Sequence, residues 1–250
     1  MPMLKFFRKL RKSLIASGSV RKYILYALGE IILVVIGILI ALQINNWNEN
    51  KKENATARGY LIALKGEFQA NIKELDRAIE SANAVFTNAN RFFLSPERNL
   101  PLTDKEAGIA MSKAADLVQF AAQMGVINDI VNSGKTALLR NDTLRNFISS
   151  WEGLLKRIQQ AEQDLLNGQD WLSEFMIENG NLHKGAYDRR EGKAPRSRFE
   201  KGNLPLLEMV AFEGYISKVA GNSINLASHN YPVLKEKLEQ QIAIIDRELD

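Results

Sequence analysis

The sequence contains no cysteine and only two histidines in its 250 residues. The absence of cysteine excludes disulfides, thiol chemistry and cysteine-based metal sites. The histidines, His183 and His229, have no second histidine or carboxylate at ligand spacing, so only the folding of distant segments would build a metal site around them. The sequence therefore predicts neither a metal nor another cofactor.

Proline is absent from residues 3–95, and alternation of apolar and polar residues, the pattern of a half-buried strand, never lasts for a useful length. Apolar residues recur instead at spacings of three and four along most of the chain, which is the pattern of amphipathic helices. We therefore expect an all-α fold.

Residues 23–44, YILYALGEIILVVIGILIALQI, form the longest apolar stretch. As a helix it would be about 33 Å long, which is enough to cross the hydrocarbon core of a bilayer. A cleaved secretory signal fits less well, because Ala41-Leu42-Gln43 lacks the small residue expected at a cleavage point. The stretch is predicted to be an uncleaved signal anchor.

Charge around this stretch is asymmetric, since no acidic residue precedes Glu30. The basic residues before it are Lys5, Arg8, Lys9, Arg11, Lys12, Arg21 and Lys22. Residues 45–50 carry no lysine or arginine, and Trp47 there suits an interfacial aromatic belt. The positive-inside rule places the N-terminus in the cytoplasm and residues 45–250 outside it, in the periplasm of a bacterium.

Residues 1–22 predict a basic amphipathic segment on the cytoplasmic side of the membrane. Met3, Phe6 and Leu10 share one face there and the cations lie largely on the other, as in helices that bind anionic lipid. The alternative is a basic flank that only sets topology. Residues 1–50 carry a net charge of +5 and residues 51–250 carry −1, so the net +4 gives no reason to expect nucleic acid as a partner.

One carboxylate, Glu30, lies inside the predicted span, where a charge costs a few kcal/mol unless it is paired or reaches water. It shares one helical face with four other residues at spacings of 4, 3, 4 and 4. The face consists of Tyr26, Glu30, Leu33, Gly37 and Ala41. The small residues at 37 and 41 permit close approach of another helix, so we interpret this face as an association surface. Alternatively, the Glu30 side chain reaches back to the cytoplasmic interface.

Beyond the span, the periodicity predicts an elongated, antiparallel four-helix-bundle-like domain over residues 45–250. Its helices are expected at about 50–95, 103–124, 142–178 and 204–249, with a basic loop at 179–203 and a break at Tyr231-Pro232. Thr103 and Glu106 have the spacing of a capping box. The loop holds seven basic and three acidic residues, the pattern of a solvated loop or of a docking site for an acidic partner.

No catalytic constellation can be argued. Ser133-Gly134-Lys135-Thr136 looks like the end of a phosphate-binding loop, but position 129 is Asp where the motif needs Gly. The carboxylates fall on the polar faces of amphipathic helices, where a solvated surface is the default interpretation. The sequence thus predicts no catalytic, cofactor-binding or metal-binding residue.

Two stretches resemble a family of uncharacterised single-pass membrane proteins of Gram-negative bacteria, a domain of unknown function. They are KYILYALGEIILVVIGILIALQINNWNENKK, with the basic FFRKLRK before it, and NSGKTALLRNDTLRNFI near the middle of the chain. The resemblance implies an inner-membrane protein with a periplasmic helical domain. It implies no activity and transfers no site residue.

We therefore expect a membrane-anchored, non-enzymatic interaction or scaffold module. Its partners would be the lipid bilayer and either a second copy or another protein. The alternative is a periplasmic sensory domain that binds a small ligand between its helices. Such a sensor would need a separate signalling partner in the membrane, because only about 22 residues lie on the cytoplasmic side.

Overall fold

The computed structural model describes residues 20–92, 102–191, 193 and 195–250, and the regular secondary structure among them is helical, with no strand. The all-α expectation is confirmed for this part of the chain. The α-helices are α1 (Val20–Asn90), α2 (Asp104–Ala114), α3 (Gly125–Asn132), α4 (Asp142–Asn179), α5 (Leu182–Arg189), α6 (Val210–Asn225) and α7 (Tyr231–Leu249). Two 3₁₀ turns occupy Lys135–Leu138 and Leu204–Glu208, and a π-helical turn occupies Leu226–Asn230.

The chain divides into two compact units, residues 1–57 and 58–250. The sequence predicts a span over 23–44 and a helix over about 50–95 that could be continuous with it, because no proline lies between them; α1 indeed runs without a break from Val20 to Asn90. Residues 44–50 contain four asparagines, which are weak helix formers, but no proline or glycine that would end a helix. The predicted end of the helix at residue 95 lies outside the described residues.

The described part of unit 1 is the first half of α1. Its large apolar side chains from Ile31 to Ile44 are between 46% and 66% exposed, on every side of the helix. Among the described residues, this is the one helix that is long and apolar enough to cross a membrane.

Unit 2 is built on three long helical segments: residues 58–90 of α1, α4, and the continuous run from α6 through the π turn to α7. Lys65 pairs with Asp246 and Asp76 with Lys235, both at 2.6 Å, so α1 and α7 run in opposite directions. Phe68 of α1 packs edge-on against Phe147 of α4 at 5.6 Å between ring centroids. The core therefore lies between these segments.

A fourth segment, residues 104–132, is helical only at its ends. A helix was expected over 103–124, but α2 ends at Ala114 and residues 116–124 have no regular secondary structure. Burial alternates along this stretch: Val118 and Phe120 are buried, whereas Leu117 and Gln119 are exposed. The helical expectation was wrong here because side chains of α1 and α4 hydrogen-bond the extended backbone, which therefore needs no helical bonds.

Residues 179–203 are not wholly a loop, since they contain α5. Asn181 caps this helix by accepting a hydrogen bond from the Lys184 N–H at 2.9 Å. Two glycines let α5 pack directly on α2: a Cβ at Gly185 would lie 2.9 Å from the Gly108 carbonyl oxygen. The glycines and charges that suggested a loop instead make a close helix–helix contact.

The expected break at Tyr231-Pro232 is a π-helical turn rather than an interruption. Proline lacks an N–H and its ring crowds the carbonyl four residues earlier, so an ordinary α-helix cannot pass through Pro232 unchanged. The wider turn at Leu226–Asn230 lets the helical run continue into α7.

Candidate functional site

The predicted association face lies on the first half of α1. Its first two members, Tyr26 and Glu30, are half-buried, whereas Leu33 is 66% exposed and Ala41 is exposed. Nothing lies within 4 Å of a Cβ built on Gly37, so the helix surface is open there. Glu30 takes part in an interaction and is not an isolated carboxylate.

The predicted membrane-surface residues are mostly outside the described part of the chain. Lys5, Arg8, Lys9, Arg11 and Lys12 are not described, and the side chain of Lys22 is not either, while Arg21 is exposed. Trp47 is 65% exposed, and the Lys51 ammonium lies 5.7 Å from the centroid of its ring. This is the geometry of a cation–π contact on a helix surface.

In unit 2, side chains of α1 and α4 form hydrogen bonds with the main chain of residues 116–124, here called the extended segment, and of the adjoining Ala114. Asn71 of α1 is fully buried and bonds both the N–H (2.7 Å) and the carbonyl (2.9 Å) of Gln123. On α4, buried Gln169 donates to the carbonyls of Ala114 and Asp116, both at 2.9 Å. These bonds satisfy main-chain N–H and carbonyl groups that neither a helix nor a neighbouring strand satisfies here.

Two carboxylates complete this set of contacts. Glu67, only 7% exposed, accepts the N–H groups of Val126 (2.6 Å) and Ile127 (3.2 Å) at the start of α3. Glu162 accepts the Phe120 N–H at 2.7 Å and the Tyr231 hydroxyl at 2.8 Å. We had assigned the carboxylates to solvated faces, and for these two that was wrong, because unpaired backbone N–H groups face them.

Burial shifts the pKa values of the hydrogen-bonded pair Glu162 and Tyr231. Burial raises the pKa of Glu162 although both of its hydrogen bonds favour the carboxylate. Burial, together with the neighbouring Glu162 charge, also raises the pKa of the Tyr231 hydroxyl. The pair holds α4, α7 and the extended segment together, which is a structural role.

A second polar cluster joins α2, α5 and the chain after residue 202. Lys184 forms ion pairs with Asp104 and Asp188, and Asp104 also accepts the N–H groups of Asn203 and Leu204. Burial by itself would raise the pKa of Asp104, but the ammonium and the backbone donors together lower it. The predicted capping box of Thr103 and Glu106 is confirmed at the start of α2.

The motif around Ser133-Gly134-Lys135-Thr136 forms a turn between α3 and α4. Gly134 has a φ of +69°, which favours glycine, and Asn141 caps α4 by accepting the Leu144 N–H at 3.1 Å. Lys135 donates to the Tyr60 hydroxyl (3.0 Å), which donates to Asp129 (2.8 Å). The Lys135 ammonium therefore forms a surface contact with α1.

With the geometry established, comparison with known proteins gives one result. Residues 30–158, just over half of the chain, match a family of unknown function, DUF6090. The chain belongs to this family. The match covers most of the apolar stretch, all of the extended segment, and NSGKTALLRNDTLRNFI at residues 132–148. No curated protein and no solved structure matches.

Membership of DUF6090 brings no assigned activity. In the part of the chain that the structure describes, no three histidine or acidic side chains come together as metal ligands. The polar clusters found above, which sequence reasoning missed, bond main-chain groups of the same chain. The signal shared by Asn71, Gln169, Glu67 and Glu162 is a polar residue at a position that also fits an apolar stripe.

Proposed function

We propose that this DUF6090 member is a single-pass, membrane-anchored and non-enzymatic helical interaction module of the inner membrane of a Gram-negative bacterium. The observation that supports it most is the exposed apolar surface of residues 31–44, which no described part of the chain covers. Such a surface is stable in lipid and unfavourable in water. In this proposal the N-terminus is cytoplasmic and residues 45–250 are periplasmic.

Unit 2 is proposed to be an up-down-up-down bundle. Its four segments are residues 58–90, 104–132, 142–179 and 210–249. Val219 lies beside Gly168, and Tyr215 packs on Phe175 at 5.4 Å, which supports opposite directions for α4 and α6. The bonds of Asn71 and Glu67 to residues 123–127 support the same relation between the first two segments.

The module is proposed to associate with a second copy through the α1 face that contains Gly37 and Ala41. Open space at Gly37 supports close helix contact, since small residues at that spacing let two backbones approach in lipid. Glu30, in the same face, would then be hydrogen-bonded within protein rather than exposed to lipid.

Light scattering of the full-length protein in mild detergent tests this association. We expect an oligomer that dissociates when Gly37→Leu or Ala41→Leu adds bulk to the face, or when Glu30→Leu removes its polar group. Val35→Leu adds bulk to the opposite side of the helix and serves as the matched control. An oligomer that survives all three changes, or one that Val35→Leu disrupts equally, would contradict the proposed face.

A further inference from the structure

The chain after α5 is held in a fixed conformation by one buried side chain. The Asn181 amide donates to the Ser197 hydroxyl (3.1 Å) and to the carbonyls of Phe199 (3.4 Å) and Lys201 (3.0 Å). His183 Nε2 bonds the Pro195 carbonyl at 2.6 Å. Residues 195–203, here called the 195–203 loop, are therefore fastened to α5 at several points.

Several side chains of this loop are exposed, whereas those of Ser197 and Asn203 take part in the bonds to Asn181. Phe199 is 73% exposed, the highest value for any described aromatic side chain, and Arg196, Arg198 and Lys201 are exposed as well. The three cations form no ion pair within the described part of the chain. Glu200 is the one carboxylate among them, so the loop presents an excess of positive charge around an aromatic ring.

Some other cations of unit 2 are paired. Lys235 pairs with Asp76, and Arg189 binds Asp116 through both guanidinium nitrogens just before the loop. Arg196 and Arg198 form no such pair in the described part of the chain, so their guanidiniums are available to a partner. A single exposed phenylalanine is ordinary, but here it occurs in a fastened loop, directly after the two arginines Arg196 and Arg198 in sequence.

We propose that the 195–203 loop docks an acidic segment of a partner protein that also covers Phe199 with apolar side chains. This inference rests on the proposed function as an interaction module and names the chemistry of its partner. Arginine binds carboxylates through two parallel hydrogen bonds, and arginine and aromatic residues dominate binding energy at protein interfaces.

The fastening of the loop favours a protein over a lipid surface as the partner. A loop that is already ordered loses less conformational entropy when it binds a partner of fixed shape. A fluid anionic membrane requires no such order, because it adapts its headgroups to the cations.

Peptide selection on the full-length protein in phosphatidylcholine nanodiscs tests the docking surface. Random short peptides displayed on phage are selected on the wild type and counter-selected on Arg196→Gln/Arg198→Gln. We expect recovered peptides rich in Asp and Glu with at least one apolar residue. The double variant should bind them at least about tenfold more weakly, since every 1.4 kcal/mol corresponds to a factor of ten.

Two further variants separate charge from shape. Lys73→Gln/Lys237→Gln removes two exposed charges elsewhere in unit 2 and should leave peptide binding unchanged. Phe199→Ala keeps every charge and should weaken binding, because the proposed partner covers the ring. Equal losses in the loop variant and the Lys73/Lys237 control would mean nonspecific attraction and would overturn the proposal.

The remaining outcomes are decisive as well. Recovery of neutral or basic peptides, or of none that depends on the loop, would overturn the docking surface. So would loop-dependent flotation with phosphatidylglycerol vesicles, because lipid would then be the partner. If peptide binding fails while the Gly37-dependent oligomer is intact, the docking surface is wrong and the proposed function stands. If a monomeric protein binds the peptides through the loop, the docking surface stands and association through the Gly37 face is wrong.

Discussion

The first half of α1 and the whole of α4 are both rich in apolar side chains, but these side chains are distributed differently around the two helices. In α1, Leu33 and Ile38 are 66% and 55% exposed, on a surface that is apolar all round. In α4, Leu144 and Leu165 are at most 1% exposed, and charged residues such as Lys156 occupy the other side. The difference lies in the periodicity of the apolar residues, because a stripe lets neighbouring helices bury one side of a helix and leaves charged residues on the other.

A core substitution in unit 2 should have the largest effect on the free energy of unfolding. Phe68→Ala removes a fully buried ring that packs on Phe147 and Trp151, so we expect a loss of about 3–5 kcal/mol. Denaturant unfolding of the full-length protein in detergent, followed by near-UV circular dichroism, measures it. Ile62→Ala, at a 56% exposed position of the same helix, is the control and should cost less than about 0.5 kcal/mol.

A charge placed in the first half of α1 tests the apolar stretch. Ile38→Lys should disfavour membrane insertion by about 2.5–3.5 kcal/mol, because lysine is costly at the centre of a membrane helix. The measure is the fraction that stays in the membrane pellet after an alkaline carbonate wash. Ile62→Lys adds the same charge in unit 2 and should leave the pellet unchanged. An unaltered pellet for Ile38→Lys would contradict the comparison between the two regions.

Two carboxylates that both accept backbone N–H groups should depend on pH in opposite ways. The pKa of Asp104 is lowered in the folded state, so its contribution to stability is present above the ordinary pKa of 3.8 and is lost as the pH falls. Asp104→Asn should cost about 1.5–3 kcal/mol at neutral pH, as expected for hydrogen bonds to a charged group. Urea unfolding at several pH values should show the difference from wild type shrinking in acid.

Glu162 provides the opposite sign. Its folded pKa lies above the ordinary 4.5, so its contribution is fully present below that value and is lost as the pH rises through the raised pKa. Glu162→Gln keeps an acceptor for Phe120 and Tyr231 and removes this dependence. Relative to the variant, the wild type should therefore lose stability over that pH range in the same urea experiment. A parallel pH profile for the two proteins would show that Glu162 is not buried as described.

The smallest expected effect compares two glycines. Gly134→Ala should cost about 1 kcal/mol, because a φ of +69° disfavours a side chain although the space around it is open. Gly153→Ala, inside α4 and equally open, should instead stabilise by about 0.5–1 kcal/mol. Thermal unfolding of both variants checks the sign. Shifts in the same direction would contradict the assigned backbone of Gly134.

Local signals allowed much of the fold to be predicted from sequence. The capping box at Thr103 and Glu106 is made by residues three apart. The extended segment had no such signal: Ala110, Ala114 and Leu117 fit a helical period. Its conformation depends on Asn71 and Gln169, which lie about 50 residues away in sequence and whose hydrogen bonds replace those of a helix. The polar clusters were missed for the same reason.

The absence of cysteine allows the most direct test of the membrane anchor. Single cysteines introduced at Ser17, before the apolar stretch, and at exposed Ser81, after it, are treated with a membrane-impermeant maleimide. In intact spheroplasts, we expect Ser81→Cys to be labelled and Ser17→Cys to be labelled only after lysis. Labelling of both before lysis, or of Ser17→Cys alone, would contradict a span with unit 2 outside the cytoplasm.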